Sequence, residues 1–253
     1  MTEAEARALL TAAGVEGAAG DVSRLRAAAT DDAEFAALVH RRAAREPVSH
    51  LLGRRAFWNH EFLVTPDVLD PRPDTETLVE AALAEPFATV LDLGTGSGCI
   101  LLSLLDERPD ATGVGTDLSE AALAVARRNG ARLEAGRRAT WLRSDWLGDV
   151  TGRFDLVVSN PPYIAEAEMA DLSPEVLQEP RLALTPGGDG LDAYRILTRD
   201  APAHLAPGGR LMVEIGAGQG PTVAALFAAA GLARIEVLED LNGRKRVVSG
   251  KKT

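Results

Sequence analysis

An apolar run that ends in a glycine-rich loop constrains the fold of this chain more than any other feature. Residues 88 to 93 are mostly apolar, the glycine loop GTGSG follows at residues 94 to 98, and a helical pattern covers residues 99 to 105. A short strand pattern at residues 113 to 116 then ends at Asp117. This order of strand, glycine turn, helix and strand predicts a βαβ unit with a parallel sheet.

The alternation of helix and strand patterns continues through the rest of the chain. Helical patterns cover residues 120 to 128 and 222 to 230. Strand patterns cover residues 140 to 143, 154 to 159 and 210 to 215. Such alternation is typical of doubly wound α/β sheets, which have helices on both faces.

Two strand patterns near the C-terminus break this alternation. The runs ARIEVLED and RKRVVSG flank Asn242-Gly243, a dipeptide typical of two-residue hairpin turns. A hairpin makes one strand antiparallel to its neighbour. We therefore predict an α/β fold whose mostly parallel sheet is closed by one antiparallel strand.

The N-terminal part of the chain follows different patterns. Apolar residues recur at helical spacing over residues 1 to 46, which predicts a small helical domain. Within residues 47 to 73, two short aromatic-rich runs flank Asn59-His60 and predict a β-hairpin linker. The sequence thus divides into a helical domain, this linker, and an α/β domain over residues 74 to 253.

The motif PRPDTE lies where the linker meets the α/β domain. Its two prolines, Pro71 and Pro73, disfavour regular helix and central strand. The residues that follow show a helical pattern. We expect Asp74 or Thr75 to cap that helix through its side chain.

The formal net charge of −10 argues against tight binding to bare nucleic acid, which normally uses many basic contacts to phosphates. We therefore expect no direct nucleic-acid partner. One arginine-rich stretch could still dock an acidic or RNA-associated partner, although a solvated surface is the favoured interpretation. Its members are Arg41, Arg42, Arg45, Arg54 and Arg55.

The N-terminal sequence MTEAEARALLTAAG is acidic and amphipathic, unlike a secretory signal or a membrane span. We expect a cytoplasmic protein without a membrane partner. The single cysteine, Cys99, excludes an internal disulfide, and the four histidines show no ligand spacing with it, so we predict no metal site. No basic residue adjoins Cys99, which favours a small buried residue over a nucleophile.

The glycine loop predicts a ligand site. Its glycines allow close approach to the backbone, and the amides at the start of the next helix point toward the ligand. Asp117 follows Gly94 at close to the ~20-residue offset at which an acidic side chain meets ribose hydroxyls. The spacing GxGxG, rather than GxGxxG, makes a dinucleotide the weaker candidate. A glycine turn with a purely structural role is the alternative.

The motif NPPY follows the apolar run at residues 154 to 159. Its two prolines fix the backbone and remove two N–H donors, which leaves an acceptor-rich turn. A planar NH2 group fits such a turn, because the Asn160 side-chain oxygen and a nearby carbonyl can each accept one N–H bond. Tyr163 can pack against the flat face of that group. An ordinary Asn-Pro loop is the alternative.

Eight motifs occur in a fixed order: REPVSHLLG, PRPDTE, VLDLGTGSG, TDLS, SNPPYI, EPRLAL, GGDGL and VEIGAGQG. Together they resemble the peptide-chain release factor glutamine methyltransferase family from about Arg45 to Val248. Members methylate the side-chain amide of the glutamine in the Gly-Gly-Gln motif of class I release factors. The resemblance implies a class I, Rossmann-like methyltransferase fold, S-adenosylmethionine as cofactor and release factors as protein partners. We expect a monomer.

The resemblance also implies roles for individual residues. Trp146 would lie beside the adenine, and Pro71 and Pro73 would line the substrate cleft. The implied cofactor-binding residues are Gly94, Thr95, Gly96, Ser97, Gly98, Asp117, Trp146 and Asn160. The implied catalytic residues are Asn160, Pro161 and Tyr163. The implied substrate-binding residues are Asn160, Pro161, Pro162, Tyr163, Arg72 and Thr75.

For Trp146 and Arg72, a purely structural role is the alternative interpretation. A single tryptophan after a strand often serves packing, and Arg72 could merely pair with a surface carboxylate. Asp70 and Asn59-His60 depart from the usual family pattern, which concerns the docking of the linker and not the reaction.

Three other functions remain as alternatives. An adenine-directed nucleic-acid methyltransferase uses the same NPPY turn, but the acidic charge and the absence of an inserted target-reading domain disfavour it. A cofactor-binding interaction protein without catalysis would not need the acceptor turn. A nicotinamide dehydrogenase is disfavoured by the spacing of the glycine loop.

Overall fold

A computed structural model describes all residues of the protein, 1 to 253. Three helices form its N-terminal part. Thr2 caps the first helix and Asp31 the third, each by accepting backbone N–H bonds with its side chain. Leu10, Leu25 and Phe35, one from each helix, form the centre of a separate apolar cluster. The helices are α1 (Glu3–Ala12), α2 (Ala18–Ala28) and α3 (Asp32–Ala43).

A short helix, α4 (Val48–Leu52), leads into a hairpin of β1 (Arg54–Phe57) and β2 (His60–Leu63). The hairpin is confirmed, but its turn is Trp58-Asn59, one residue earlier than the predicted Asn59-His60, because Phe57 pairs with His60. This register brings Phe57 and Phe62 into the core together.

Helix α5 (Pro73–Leu83) begins within the PRPDTE motif, so the prediction that both prolines exclude regular helix was wrong for Pro73. Arg72 occupies the N-cap position and Pro73 the first turn, where the missing N–H has no helical partner to lose. The predicted cap by Asp74 or Thr75 is therefore also wrong. The consequence is that Thr75 sits in the first turn, with its side chain buried.

The sheet has seven strands in the order β5-β4-β3-β6-β7-β9-β8. Six are mutually parallel, and β9 alone runs antiparallel to both neighbours. The α/β fold is thus confirmed, but the antiparallel strand lies inside the sheet next to its edge and does not close it. The strands are β3 (Thr89–Leu93), β4 (Thr112–Asp117), β5 (Ala139–Arg143), β6 (Phe154–Ser159), β7 (Leu205–Glu214), β8 (Ala233–Glu239) and β9 (Lys245–Lys251).

Helices cover both faces of the sheet, and two apolar clusters fill the space between the layers. Besides α5, the covering helices are α6 (Cys99–Glu107), α7 (Glu120–Arg132), α9 (Asp192–His204) and α10 (Gly220–Ala229), whereas the short α8 (Arg181–Leu184) lies in the segment between β6 and α9. Short 3-10 turns occur at Glu134–Arg138, Glu166–Asp171 and Val176–Gln178. The parallel strands β3, β4 and β6 end at one edge of the sheet, so the loops that follow them meet there.

Candidate active site

A cavity of about 340 Å³ opens where β3, β4 and β6 end. Most of the predicted site residues line it, although they come from five separate stretches of the chain. Those in the lining are Arg72, Thr75, Gly94, Thr95, Gly96, Ser97, Asp117, Trp146, Asn160 and Pro162. Pro71 also lines the cavity, whereas Gly98, Pro161, Tyr163 and Pro73 are outside the lining.

The glycine loop turns sharply after β3. Gly94 and Gly96 have φ angles of 71° and 54°, in the left-handed region that glycine adopts without strain. The backbone N–H of Gly96 donates to Asp117 at 3.0 Å, and Ser119 N–H donates to the other carboxylate oxygen at 2.9 Å. Burial raises the pKa of Asp117. The loop and the carboxylate therefore form one hydrogen-bonded wall of the cavity.

Asp92 lies beneath this wall and is fully buried in β3. The Thr95 hydroxyl donates to one of its carboxylate oxygens at 2.6 Å, and the other oxygen has no partner. Burial raises the pKa of Asp92 to about 7. The side chain thus holds Thr95 in place from below and keeps an acceptor atom free under the loop.

Gly98 and Cys99 begin helix α6 behind the loop. A Cβ on Gly98 would lie 2.9 Å from the Trp141 ring, so close packing requires glycine there. Burial raises the pKa of the Cys99 thiol to about 12, which keeps it protonated near neutral pH. Both residues serve the packing of the helix start in this structure.

Trp146 lines the cavity with an unusual backbone. Its φ is 51°, in the left-handed region, which costs a residue with a side chain roughly 1–2 kcal/mol. Strained backbone of this kind concentrates at ligand sites. Arg45, Trp58 and Arg234 share this conformation outside the cavity, so only the position of Trp146 in the cavity lining connects it with a ligand.

Asn160 follows β6 and lines the same cavity as the glycine loop, which follows the neighbouring strand β3. Its Nδ2 donates to the Thr75 hydroxyl at 3.2 Å, and its Oδ1 is buried without a partner. An unpartnered buried acceptor costs free energy unless a ligand completes it. The adjoining Ser159 is anchored by its hydroxyl, which donates to the Leu93 carbonyl at 2.7 Å.

Glu214 ends β7 behind Thr75. Its carboxylate is fully buried, one of its oxygens has no partner, and burial raises its pKa to about 7. A hydrogen-bonding interaction with the Thr75 hydroxyl opposes this effect of burial on the pKa. Thr75 therefore stands between a buried carboxyl group and the Asn160 amide.

Arg72 lines the cavity from the N-cap position of α5. It pairs with Glu179, and the second carboxylate oxygen of Glu179 accepts the Asp70 backbone N–H at 3.0 Å. Glu179 is buried, so the alternative in which Arg72 pairs with a surface carboxylate is wrong. Burial raises the pKa of Glu179, and the Arg72 charge opposes that rise.

The chain is similar to known methyltransferases over most of its length. The "Methyltransferase small domain" family model matches residues 59–191. A release factor glutamine methyltransferase of Cereibacter sphaeroides is 58% identical over 261 residues, which cover 96% of this chain and 94% of the relative. The protein of the same name in Caulobacter vibrioides is 50% identical and covers 85% of this chain and 76% of the relative. This chain belongs to the release factor glutamine methyltransferase family.

A solved structure supports the fold of this family member. A methyltransferase from Pyrococcus furiosus superposes with a TM-score of 0.59 at 16% sequence identity, covering 86% of this chain and 97% of the other. The similarity concerns the fold alone.

Two motifs of the family contain site residues that sequence reasoning did not identify. Glu179 lies in EPRLAL, and Glu214 and Gln219 lie in VEIGAGQG. The motifs were recognised as family features, but their spacing along the chain does not show that they meet the NPPY turn. For Glu214, the available signal was an acidic residue at the end of an apolar strand; Glu179 and Gln219 lie in loops and have no such signal.

The arginine-rich stretch of this family member is largely occupied by internal ion pairs. Arg42 is buried and bonds to Asp21 at 2.8 Å and to Glu175 at 2.9 Å. Arg45 binds the same Glu175 through two bonds, and Arg41 pairs with Glu46. The favoured interpretation as a solvated surface is therefore wrong for Arg42, because its guanidinium is buried and forms ion pairs with Asp21 and Glu175.

Metal sites and membrane-spanning helices are two further features that a chain of this kind could contain. No group of three or more His, Cys, Asp and Glu side chains is arranged to hold a metal ion. None of the helices combines the length and the apolar character that a membrane span needs.

Proposed function

We propose that this protein transfers a methyl group from S-adenosylmethionine to the side-chain amide nitrogen of the glutamine in the Gly-Gly-Gln motif of class I release factors. The observation that carries the proposal is the buried, unpartnered Oδ1 of Asn160, which lines the same cavity as the glycine loop. Membership of the release factor glutamine methyltransferase family supports the choice of substrate.

The residues of the cavity fit S-adenosylmethionine. Positions Gly94 and Gly96 have open space where a Cβ would be, so a ligand can approach their backbone closely. Asp117 offers carboxylate oxygens to a ribose, and Trp146 offers a ring face to an adenine. Thr95, Ser97 and Asn160 line the same cavity and would complete the cofactor site. When bound, the cofactor supplies an electrophilic methyl group on a sulfonium sulfur.

Asn160 prepares the acceptor. An amide nitrogen is a poor nucleophile because its lone pair is delocalised into the carbonyl group. The Asn160 Oδ1 and a carbonyl of the turn would each accept one N–H of the glutamine, which orients the nitrogen and stabilises the positive charge that develops on it. Pro161 and Pro162 keep the turn rigid and free of competing N–H donors. Tyr163 would pack against the flat face of the amide.

The remaining parts of the chain receive roles in the same proposal. Residues 1–46 would dock the release factor, residues 47–73 would link, and residues 74–253 would bind the cofactor and catalyse the transfer. Arg72 and Thr75 would line the substrate side of the cleft. The protein would act as a monomer in the cytoplasm.

A methyl-transfer assay tests this proposal. The protein is incubated with radiolabelled S-adenosylmethionine in parallel reactions that contain a purified class I release factor, its variant in which the motif glutamine is alanine, or DNA or RNA. We expect label on the unmodified release factor only. Label on both, or label on DNA or RNA adenine instead, would contradict the proposal and in the second case favour the adenine-directed alternative.

The variant Asn160→Ala tests the role assigned to Asn160. We expect it to lose transfer while it still binds S-adenosylmethionine with reduced affinity, because the acceptor atom is removed and the glycine loop remains. Unchanged transfer would refute the role of Asn160.

A further inference from the structure

The turn from Asn160 to Tyr163 is held from behind by a residue that the proposed reaction does not use. The backbone carbonyl of Tyr163 accepts a hydrogen bond from Gln219 Nε2 at 2.9 Å. Gln219 lies in the VEIGAGQG motif, between the end of β7 and the start of α10. This bond joins the last residue of the NPPY turn to a strand end on the far side of β6 from the cofactor loop.

The orientation of the Gln219 amide is fixed by its other contacts. Its Oε1 accepts the Gly216 backbone N–H at 3.0 Å and the Tyr194 hydroxyl at 3.2 Å. Tyr194 is fully buried, and its single hydroxyl proton is shared between Gln219 Oε1 and the Glu214 carbonyl, which lies 2.9 Å from the hydroxyl oxygen. If the amide were flipped, Nε2 would face the Gly216 N–H, which is also a donor, and Oε1 would face the Tyr163 carbonyl, which is also an acceptor. Nε2 is therefore committed to Tyr163.

Close contacts leave Tyr163 little room to move. A Cβ on Gly190, in the GGDGL motif, would lie 2.4 Å from the Tyr163 carbonyl oxygen. A Cβ on Gly216 would lie 3.4 Å from the Tyr163 ring. Two family motifs without an assigned role thus converge on the same residue, one at its carbonyl and one at its ring.

We propose that Gln219 is a positioning residue for methyl transfer: by donating to the Tyr163 carbonyl, it fixes the NPPY turn and the direction of the Asn160 acceptor. The inference rests on the proposed function. In-line transfer depends on alignment, and a misplacement of about 1 Å can cost ~100-fold in rate. Gln219 lies outside the cavity lining, so we expect it to act through the backbone of Tyr163 and not by contact with a ligand.

Two substitutions separate this bond from the others that Gln219 makes. Gln219→Glu keeps an acceptor for Gly216 and Tyr194 but faces the Tyr163 carbonyl with an oxygen, whereas Gln219→Met removes all three bonds. Gln178→Glu is the matched control, because Gln178 is exposed and lies outside the cavity lining. We expect kcat for release factor methylation to fall roughly 10- to 100-fold in both Gln219 variants. Binding of S-adenosylmethionine, measured by calorimetry, is expected to stay unchanged.

A spectroscopic measurement tests the positioning role without activity. The chain has two tyrosines, so the protein labelled with 3-fluorotyrosine gives two fluorine resonances, and Tyr163→Phe identifies that of Tyr163. We expect the Tyr163 resonance to shift or broaden in both Gln219 variants and to be unchanged in Gln178→Glu.

The outcomes distinguish the two proposals. If the unmodified protein does not methylate a release factor, the proposed function fails, whereas the Tyr163 resonance still reports on the Gln219 bond. An unchanged kcat in Gln219→Glu, an unchanged Tyr163 resonance, or a loss of cofactor binding equal to the loss of kcat would overturn the positioning role.

Discussion

The Asn160 side chain donates to the Thr75 hydroxyl at 3.2 Å, and this bond determines which end of the amide is left for a ligand. With Nδ2 committed to Thr75, the free atom is Oδ1, an acceptor. A flipped amide would present donors to an NH2 group, which repels it. We therefore expect Thr75 to give the cavity a preference for a hydrogen-bond donor.

Replacement of Thr75 by valine removes this preference without changing the side-chain shape. We expect Thr75→Val to lower kcat for methylation roughly 5- to 10-fold, the value of one hydrogen bond, while Thr75→Ser restores it. Thr198→Val is a suitable control, because Thr198 is equally buried and its hydroxyl bonds only to carbonyls of its own helix. Steady-state kinetics with a release factor measure the effect, and equal losses in Thr75→Val and Thr75→Ser would contradict it.

We expect Trp146 to determine the affinity for S-adenosylmethionine and not the affinity for the release factor. Stacking of a base on an aromatic ring contributes about 1–3 kcal/mol, so Trp146→Ala should raise the Kd for S-adenosylmethionine by roughly 5- to 150-fold. Trp146→Phe, which keeps an aromatic face, should lose much less. Isothermal calorimetry provides the test; an unchanged Kd in Trp146→Ala would show that the ring serves packing.

Glu214 predicts a pH dependence of stability. Its pKa is raised by burial from 4.5 to about 7, so the folded state holds a proton that the unfolded state releases. The resulting stabilisation is fully present below about pH 4.5 and is lost as the pH rises to about 7. We expect this loss to amount to roughly 2–3 kcal/mol.

Glu214→Gln should remove that part of the pH dependence. Urea unfolding of both proteins between pH 5 and pH 8, ~25 °C, gives the difference in slope. The exposed Glu236 on β8 supplies the control Glu236→Gln. Parallel stability curves for the unmodified protein and Glu214→Gln would be incompatible with a raised pKa.

Glu175 is expected to stabilise the contact between the N-terminal helices and the segment after the NPPY turn. Burial alone would raise its pKa, but bonds from Arg45 and Arg42 lower the pKa to about 2, so the stabilisation is present above pH 4.5 and is lost as the pH falls toward 2. Glu175→Gln should lower the free energy of unfolding at pH 7 by roughly 1–2 kcal/mol.

The exposed pair of Arg54 and Glu61 offers a comparison for this measurement. Glu61→Gln should change the free energy of unfolding by less than about 0.5 kcal/mol, because exposed ion pairs contribute little. Equal effects of Glu175→Gln and Glu61→Gln would count against a special role of Glu175.

The strands and the glycine loop were predictable because their signals are local. An apolar run that ends in glycines, or in Asn-Pro, specifies both the element and the point where it ends, and Asn160 and Asp117 follow such runs. The hairpin turn moved by one residue because the burial of Phe57 and Phe62 determines the register, and burial is not a local property.

Residues that act from behind the site could not be assigned from the sequence. Glu214 and Gln219 bond to groups that precede them by more than fifty positions, and only the folded sheet brings β7 beside β6. Helix α9 was also missed, because no local signal separated it from the loop before it and Pro202 interrupts its pattern. Only the tertiary structure shows that Glu214 and Gln219 lie next to the residues of the site.

The Arg42–Glu175 pair has a consequence for how the chain is made. Glu175 lies 133 positions after Arg42, so the helices at the N-terminus leave the ribosome long before their second carboxylate is synthesised. Until then Asp21 is the only carboxylate bonded to the buried Arg42 guanidinium, and the helical cluster is incompletely neutralised. The last gain in its stability therefore waits for the sheet to reach β6 and beyond, which makes docking of the helices a late step of folding.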